Sequence, residues 1–107
     1  LAVTTKKIRI EASSDAGFFY ALQSLRQLLP PAVEGDGLDM AMDCRVPAVT
    51  ISDRPRFGYR GLMVDVSRFF MPKQNLLRII DAASFLKIKK LHWHLVGDNR
   101  WRLEIKR

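Results

Sequence analysis

The chain has 107 residues, with 48% apolar and 27% charged side chains and a formal charge of +7. This is ordinary globular composition, and it excludes a disordered or low-complexity tail. No apolar run approaches the ~18–20 residues of a membrane span, and no charged-then-apolar signal segment opens the chain.

Lys7 to Ala12 alternates polar and apolar residues, the period of a half-buried strand. Ser13, Ser14 and Asp15 then offer side-chain oxygens to cap a helix start. Phe18, Leu22, Leu25 and Leu29 follow at steps of three and four, with Ala21 and Leu28 beside them. That spacing predicts a helix with one apolar face. Pro30 and Pro31 stop it, because neither has an N–H to donate. Glu34 to Gly37 reads as a turn or loop tip. Val46 to Ile51 is rich in β-branched residues and reads as a strand, with Pro47 marking an edge or first position. The first half is therefore strand–helix–loop–strand, an α+β piece. The polar stretch from Asp53 to Gly58, with its Pro and Gly, is taken as the boundary between two units.

Leu62 to Val66 is a short apolar run broken by Asp65, as in a parallel strand buried on both faces. Pro72 suits the first position of a helix. Leu76, Ile79, Ile80, Ala83 and Leu86 mark one face of that helix. Leu91, Trp93 and Leu95 alternate with His92 and His94 in a second strand, where Trp93 is expected in the core. Lys87 to Lys90 reads as the solvated turn between helix and strand. The crossover is long enough for a parallel βαβ unit. Two strands alone are marginal in water. Leu1 opens the chain in place of Met, and the residues up to Arg107 are still in mid-pattern, so both ends read as cut.

Charge divides along the same boundary. Residues 1–53 hold five basic and seven acidic side chains, a net of −2. Residues 54–107 hold thirteen basic and four acidic ones, a net of +9. Such asymmetry raises nucleic acid as a partner. No recognition module or interleaving of aromatic with basic residues accompanies it, so a nucleic-acid partner is not expected. His92 and His94 share a strand face but lack a third ligand in pattern, and no metal is expected. Cys44 is the single cysteine and cannot form an intrachain disulfide.

Several linked segments carry a resemblance. They are Arg54-Pro-Arg-Phe-Gly-Tyr-Arg-Gly61, Val64-Asp-Val-Ser-Arg68, Leu91-His-Trp-His-Leu95 and Trp101-Arg-Leu-Glu-Ile105. In order and spacing they resemble glycoside hydrolase family 20, the β-N-acetylhexosaminidases. Ile10 to Leu29 resembles the small α+β domain that precedes the family's catalytic barrel. The resemblance implies an α/β fold: residues 1–53 would be the C-terminal part of the accessory domain. Residues 54–107 would be the first βαβ unit of a (β/α)8 TIM barrel, whose active site lies at the C-terminal ends of its strands.

It further implies a partner, an amino-sugar-terminated oligosaccharide or glycoconjugate, and no cofactor. Arg68 stands where the family's Asp-x-x-Arg motif binds the hydroxyls of the terminal sugar. A guanidinium suits that task, since its rigid fork of donors can meet two neighbouring hydroxyls. The alternative for Arg68 is a salt bridge to Asp65. Asp98 also falls after a strand, on the expected substrate side. Family catalysis is substrate-assisted: the 2-acetamido oxygen attacks the anomeric carbon, while an Asp-Glu pair orients that group and protonates the leaving oxygen. No Asp-Glu dipeptide occurs in these residues, so no catalytic residue is assigned here.

The chain departs from the pattern. Phe69 follows Arg68 where the family usually has His. Gly97-Asp98-Asn99-Arg100-Trp101 stands for Asp-Asp-Gln-Gly-Trp. The family's first Asp there orients a His that helps set the proton affinity of the acid, and Gly97 has no side chain to do so. Reduced activity is the expectation, with a degenerate amino-sugar-binding relative as the alternative reading.

Overall fold

The computed structural model describes residues 1–35, 44–98 and 100–106. The chain divides into two units, Leu1–Arg56 and Phe57–Arg107.

The first unit is built on three very short strands, β1 (Ala2–Val3), β2 (Ile8–Arg9) and β3 (Val49–Thr50). They form an antiparallel sheet in the order β2-β1-β3, with Val3 opposite both Ile8 and Val49. The central strand, β1, was not expected: two residues carry no readable alternation. Its turn to β2 is organised by Thr4, whose Oγ1 donates to the Lys7 carbonyl at 3.0 Å and accepts from the Lys6 and Lys7 N–H groups. β2 lies within the expected strand, but both of its residues are exposed.

Helix α1 runs over Asp15–Leu28. Ser14 caps it, its Oγ accepting from the Gly17 N–H at 3.2 Å. The helix stops before Pro30, and Pro31–Glu34 forms a short 3-10 turn. The Arg26 guanidinium reaches forward to the Glu34 carboxylate, with Nε donating at 2.6 Å. The expected apolar stripe is only partly covered. Phe18 and Leu22 stay exposed, and the buried residues of the helix are Gln23 and Ser24. Three two-residue strands offer far less cover than a helix ~21 Å long presents. Strand β3 is shorter than the Val46 to Ile51 reading, and of the expected loop tip Asp36 and Gly37 lie outside the described residues.

In the second unit β4 (Gly61–Asp65), α2 (Lys73–Phe85) and β5 (Lys90–His94) follow in order, and β4 pairs with β5 in parallel. The register sets Gly61 opposite Lys90, Val64 opposite Trp93 and Asp65 opposite His94. Pro72 sits at the cap, one place before the expected first helical position, and its carbonyl accepts from the Asn75 and Leu76 N–H groups. Leu76 packs with Val64 and Val66 in a small core, flanked by Met71, Ile79 and Leu95. Ile80 and Leu86 of the expected helix face remain exposed. The helix ends in a hydrogen-bonded wrap: Ile88 N–H reaches the Ala83 carbonyl and Lys87 N–H the Ser84 carbonyl. That closure puts Lys87 at a φ of 58°, the left-handed conformation typical of the position after a helix cap. The Lys87 to Lys90 stretch is thus a turn, as expected, leading into β5.

Two burial expectations are corrected here. Met63 of β4 is exposed, so this strand is not covered on both faces. Trp93 is 46% exposed rather than in the core. Among the described residues β5 has β4 as its one strand neighbour, which leaves too little surface to enclose so large a ring.

Candidate functional site

A cleft of about 600 Å³ opens where β4 and β5 end. Ser67, Arg68, His94, Val96, Gly97, Asp98 and Arg100 line it. The parallel register explains their meeting. Strands running the same way finish on the same side, so the segment after Asp65 and the segment after His94 emerge together.

The segment after β4 is held from both sides. Val66 N–H extends the ladder to the His94 carbonyl at 3.0 Å. The Asp65 carboxylate turns back on its own chain: Oδ1 accepts from the Ser67 N–H at 2.9 Å, the Ser67 hydroxyl at 2.8 Å and the Arg68 N–H at 3.3 Å. Carboxylates favour such tight turns because one oxygen can accept from two successive amides. The Ser67 hydroxyl bond is the main cause that holds the Asp65 carboxyl below its ordinary range. Partial burial opposes it, and the Arg68 and Ser67 amides and the nearby His94 add to it.

The salt-bridge reading of Arg68 is met in this geometry. Its Nε lies 3.4 Å from Asp65 Oδ2, so the salt bridge exists. Yet the Arg68 side chain is 82% exposed while that of Asp65 is 23% exposed. The carboxylate anchors the base of the guanidinium and leaves most of the fork facing the cleft. An ion pair this exposed contributes little to stability.

The opposite wall is a tight turn. Gly97 and Arg100 exchange backbone hydrogen bonds, at 2.9 Å from Gly97 N–H and 3.3 Å from Arg100 N–H. Asp98 lies in that turn, exposed and on the same cleft as Arg68. The two residues singled out from sequence are thus brought together. At Gly97 a Cβ would come 3.2 Å from Ser67 Oγ and 3.9 Å from His94 Nε2. A side chain there would enter the cleft wall beside both groups, at the cost of a few tenths of an ångström of movement by Ser67.

Sequence reasoning missed two residues of this region. Arg100 donates from Nη1 to the Arg68 carbonyl at 2.7 Å. Arg102 donates from Nε to the Val66 carbonyl at 2.9 Å, and its guanidinium carbon lies 5.9 Å from the centre of the Phe70 ring. The available signals were the departure at Arg100 from the family's Gly and the place of Arg102 in the Trp101 to Ile105 segment. His92 and His94 have ring centres 6.2 Å apart, and the described residues contain no group of three potential metal ligands.

Comparison with known proteins matches both units. The model described as glycosyl hydrolase family 20, domain 2, matches residues 1–54, and that described as glycosyl hydrolase family 20, catalytic domain, matches residues 57–107. A β-hexosaminidase of Vibrio furnissii is 44% identical over 106 residues, which cover 99% of this chain and 16% of the relative. The solved structure of a Flavobacterium johnsoniae chitobiase aligns at a TM-score of 0.79 and 41% identity, covering 98% of this chain and 15% of that one. An exo-β-N-acetylglucosaminidase from Vibrio harveyi, solved in complex with N-acetylglucosamine, aligns at a TM-score of 0.80 and 37% identity, covering 98% and 16%. The chain spans about one-sixth of the length of each.

Proposed function

The chain belongs to glycosyl hydrolase family 20, and on that premise we propose that it is the part of a β-N-acetylhexosaminidase where the accessory domain meets the catalytic barrel. Residues 1–53 are then the end of the accessory domain. Residues 54–107 supply the first two strands of a (β/α)8 barrel, with the cleft at the strand ends where such barrels place their chemistry. The whole enzyme removes terminal, non-reducing N-acetylglucosamine or N-acetylgalactosamine with retention of configuration.

The work of this segment is binding. Arg68 offers its exposed fork to neighbouring hydroxyls of the terminal sugar, and Asp98, across the cleft, accepts from another. Both act on the ring whose 2-acetamido oxygen must reach its own anomeric carbon. Holding that ring still favours the intramolecular attack, because orientation replaces a costly encounter. The Asp-Glu pair that orients the acetamido group and protonates the leaving oxygen is not among these residues.

The observation that carries this reading is the Arg68 side chain, tied at its base by Asp65 yet 82% exposed at the cleft. In the full-length protein, Arg68→Ala should lower kcat/KM on a chromogenic aryl N-acetyl-β-glucosaminide by about a hundredfold or more, the scale of two lost charge-assisted hydrogen bonds. Arg68→Lys should recover only part, since a point charge cannot span two hydroxyls. An unchanged kcat/KM in Arg68→Ala overturns the assignment. The alternative of a relative that binds amino sugars without cleaving them is not favoured, because the matched proteins carry the names of hydrolases.

A further inference from the structure

We propose that Arg100 and Arg102 are positioning residues, a pair of guanidinium clamps that fix the backbone carrying Arg68. The proposal rests on the sugar-binding role of Arg68 given above, and it concerns two residues to which the resemblance assigned no role.

Beyond the Val66 N–H, which still reaches the His94 carbonyl, the segment from Val66 to Phe70 has no strand to pair with among the described residues. Val66 and Ser67 are buried, so their remaining backbone groups need partners other than water, while Arg68 to Phe70 is exposed. The N–H groups of Ser67 and Arg68 go to the Asp65 carboxylate. The carbonyls of Val66 and Arg68 go to Arg102 and Arg100. An anion thus collects the donors and two cations collect the acceptors. All four bonds are charge-assisted, the stronger class of hydrogen bond.

The two clamps differ in setting. Arg102 is half-buried, and the Phe70 ring beside it adds a contact to the guanidinium face. Arg100 is exposed at the cleft, but its backbone is fixed by the exchange of bonds with Gly97. Both reach past the ends of the strands to the same short stretch. The carbonyl held by Arg100 belongs to Arg68 itself. Losing either clamp frees a peptide plane at or next to the residue whose fork must meet the sugar. A shift of about 1 Å at a positioning group is enough to cost a hundredfold in rate. Arginine suits this role because its fork is planar, rigid and charged at all working pH values.

The test is a mutant cycle in the full-length protein. Arg100→Ala and Arg102→Ala should each raise KM for the aryl glucosaminide by roughly tenfold, the scale of one charge-assisted bond, with a smaller fall in kcat. In an Arg68→Ala background the same substitutions should add little, because they act through Arg68. Arg102→Lys should restore part of the loss, and this milder variant serves where Arg102→Ala does not fold. Full additivity with Arg68→Ala, or an unchanged KM in both single variants, overturns the proposal. A second readout does not depend on turnover. Amide hydrogen exchange of Ser67 and Arg68 should accelerate in both alanine variants while that of α2 stays unchanged. A full-length protein that neither hydrolyses nor binds the amino sugar refutes the sugar-binding reading. Unchanged exchange at Ser67 and Arg68 refutes the clamps.

Discussion

Helices α1 and α2 are close in length, 14 and 13 residues, yet they are anchored differently. α1 is fastened at its ends. Ser14 caps the first turn, Arg26 ties the last turn to Glu34, and the residues it buries are the polar Gln23 and Ser24. α2 begins on Pro72 with no side-chain cap and is fastened in its first half, where Leu76 meets Val64 and Val66. Helix α1 is therefore held by separate polar bonds, each worth about 1 kcal/mol or less, while the apolar burial of the first unit lies at Val3 in β1. The second rests on one small apolar cluster, and that cluster includes Val66, one residue before the cleft wall begins at Ser67. Damage in the second reaches the cleft.

The sharpest way to break this contrast is Leu76→Ala. It should cost about 2–5 kcal/mol, the range for a buried leucine removed from a core. In the full-length protein it should lower hydrogen-exchange protection in β4 and β5 and also lower activity. Retained activity with lost protection would show that the core and the cleft are independent.

Gly97→Asp comes next. It restores the carboxylate that the family pattern has, at a site where an added Cβ would lie 3.9 Å from His94 Nε2. The rate on a chromogenic N-acetylglucosaminide should rise roughly tenfold or more. Gly97→Ala imposes the same 3.2 Å contact on Ser67 Oγ without the charge and should bring no gain. An unchanged rate in the aspartate variant counts against reduced activity at this position.

Ser14→Ala should cost about 1 kcal/mol in the first unit, the usual loss of an N-cap, and leave kcat and KM as they were. A changed KM would remove the separation between the units.

The smallest effect concerns Asp65. Folding lowers its pKa, so its contribution is fully present above the unfolded value of about 3.9. It is lost as pH falls through the lower folded value. Protection of the Ser67 and Arg68 amides should hold down to the ordinary carboxylate range and fail only in stronger acid. Asp65→Asn should flatten that dependence. Loss of protection already near neutral pH would assign the turn to another group.

Much of this was legible in the residues. Ser14, Pro30 and the spacing of leucines gave α1 its bounds, because capping and proline chemistry act within a few residues. Arg68 and Asp98 were placed after two strands, and parallel pairing brings them to one cleft. What stayed hidden depends on distant partners. β1 has two residues and becomes central only through β2 and β3. The exposure of Phe18, Leu22 and Trp93 reflects how little sheet surrounds them, which periodicity does not report. Arg100 was visible only as a departure from a motif, while its bond to the Arg68 carbonyl spans 32 positions of sequence.

The pairing of Asp65 with His94 has one more consequence. Side chains on a strand alternate faces, so a slip of one residue between β4 and β5 exchanges them all. Such a slip turns Val64 toward water and Asp65 toward Leu76. It also carries Gly97 and Arg100 away from Ser67 and Arg68. Core and cleft are thus two readings of a single alignment, and the chain cannot assemble one correctly while misassembling the other. On the proposed role of Arg68, a probe that reports it holding the sugar also reports that the strands are paired in this register.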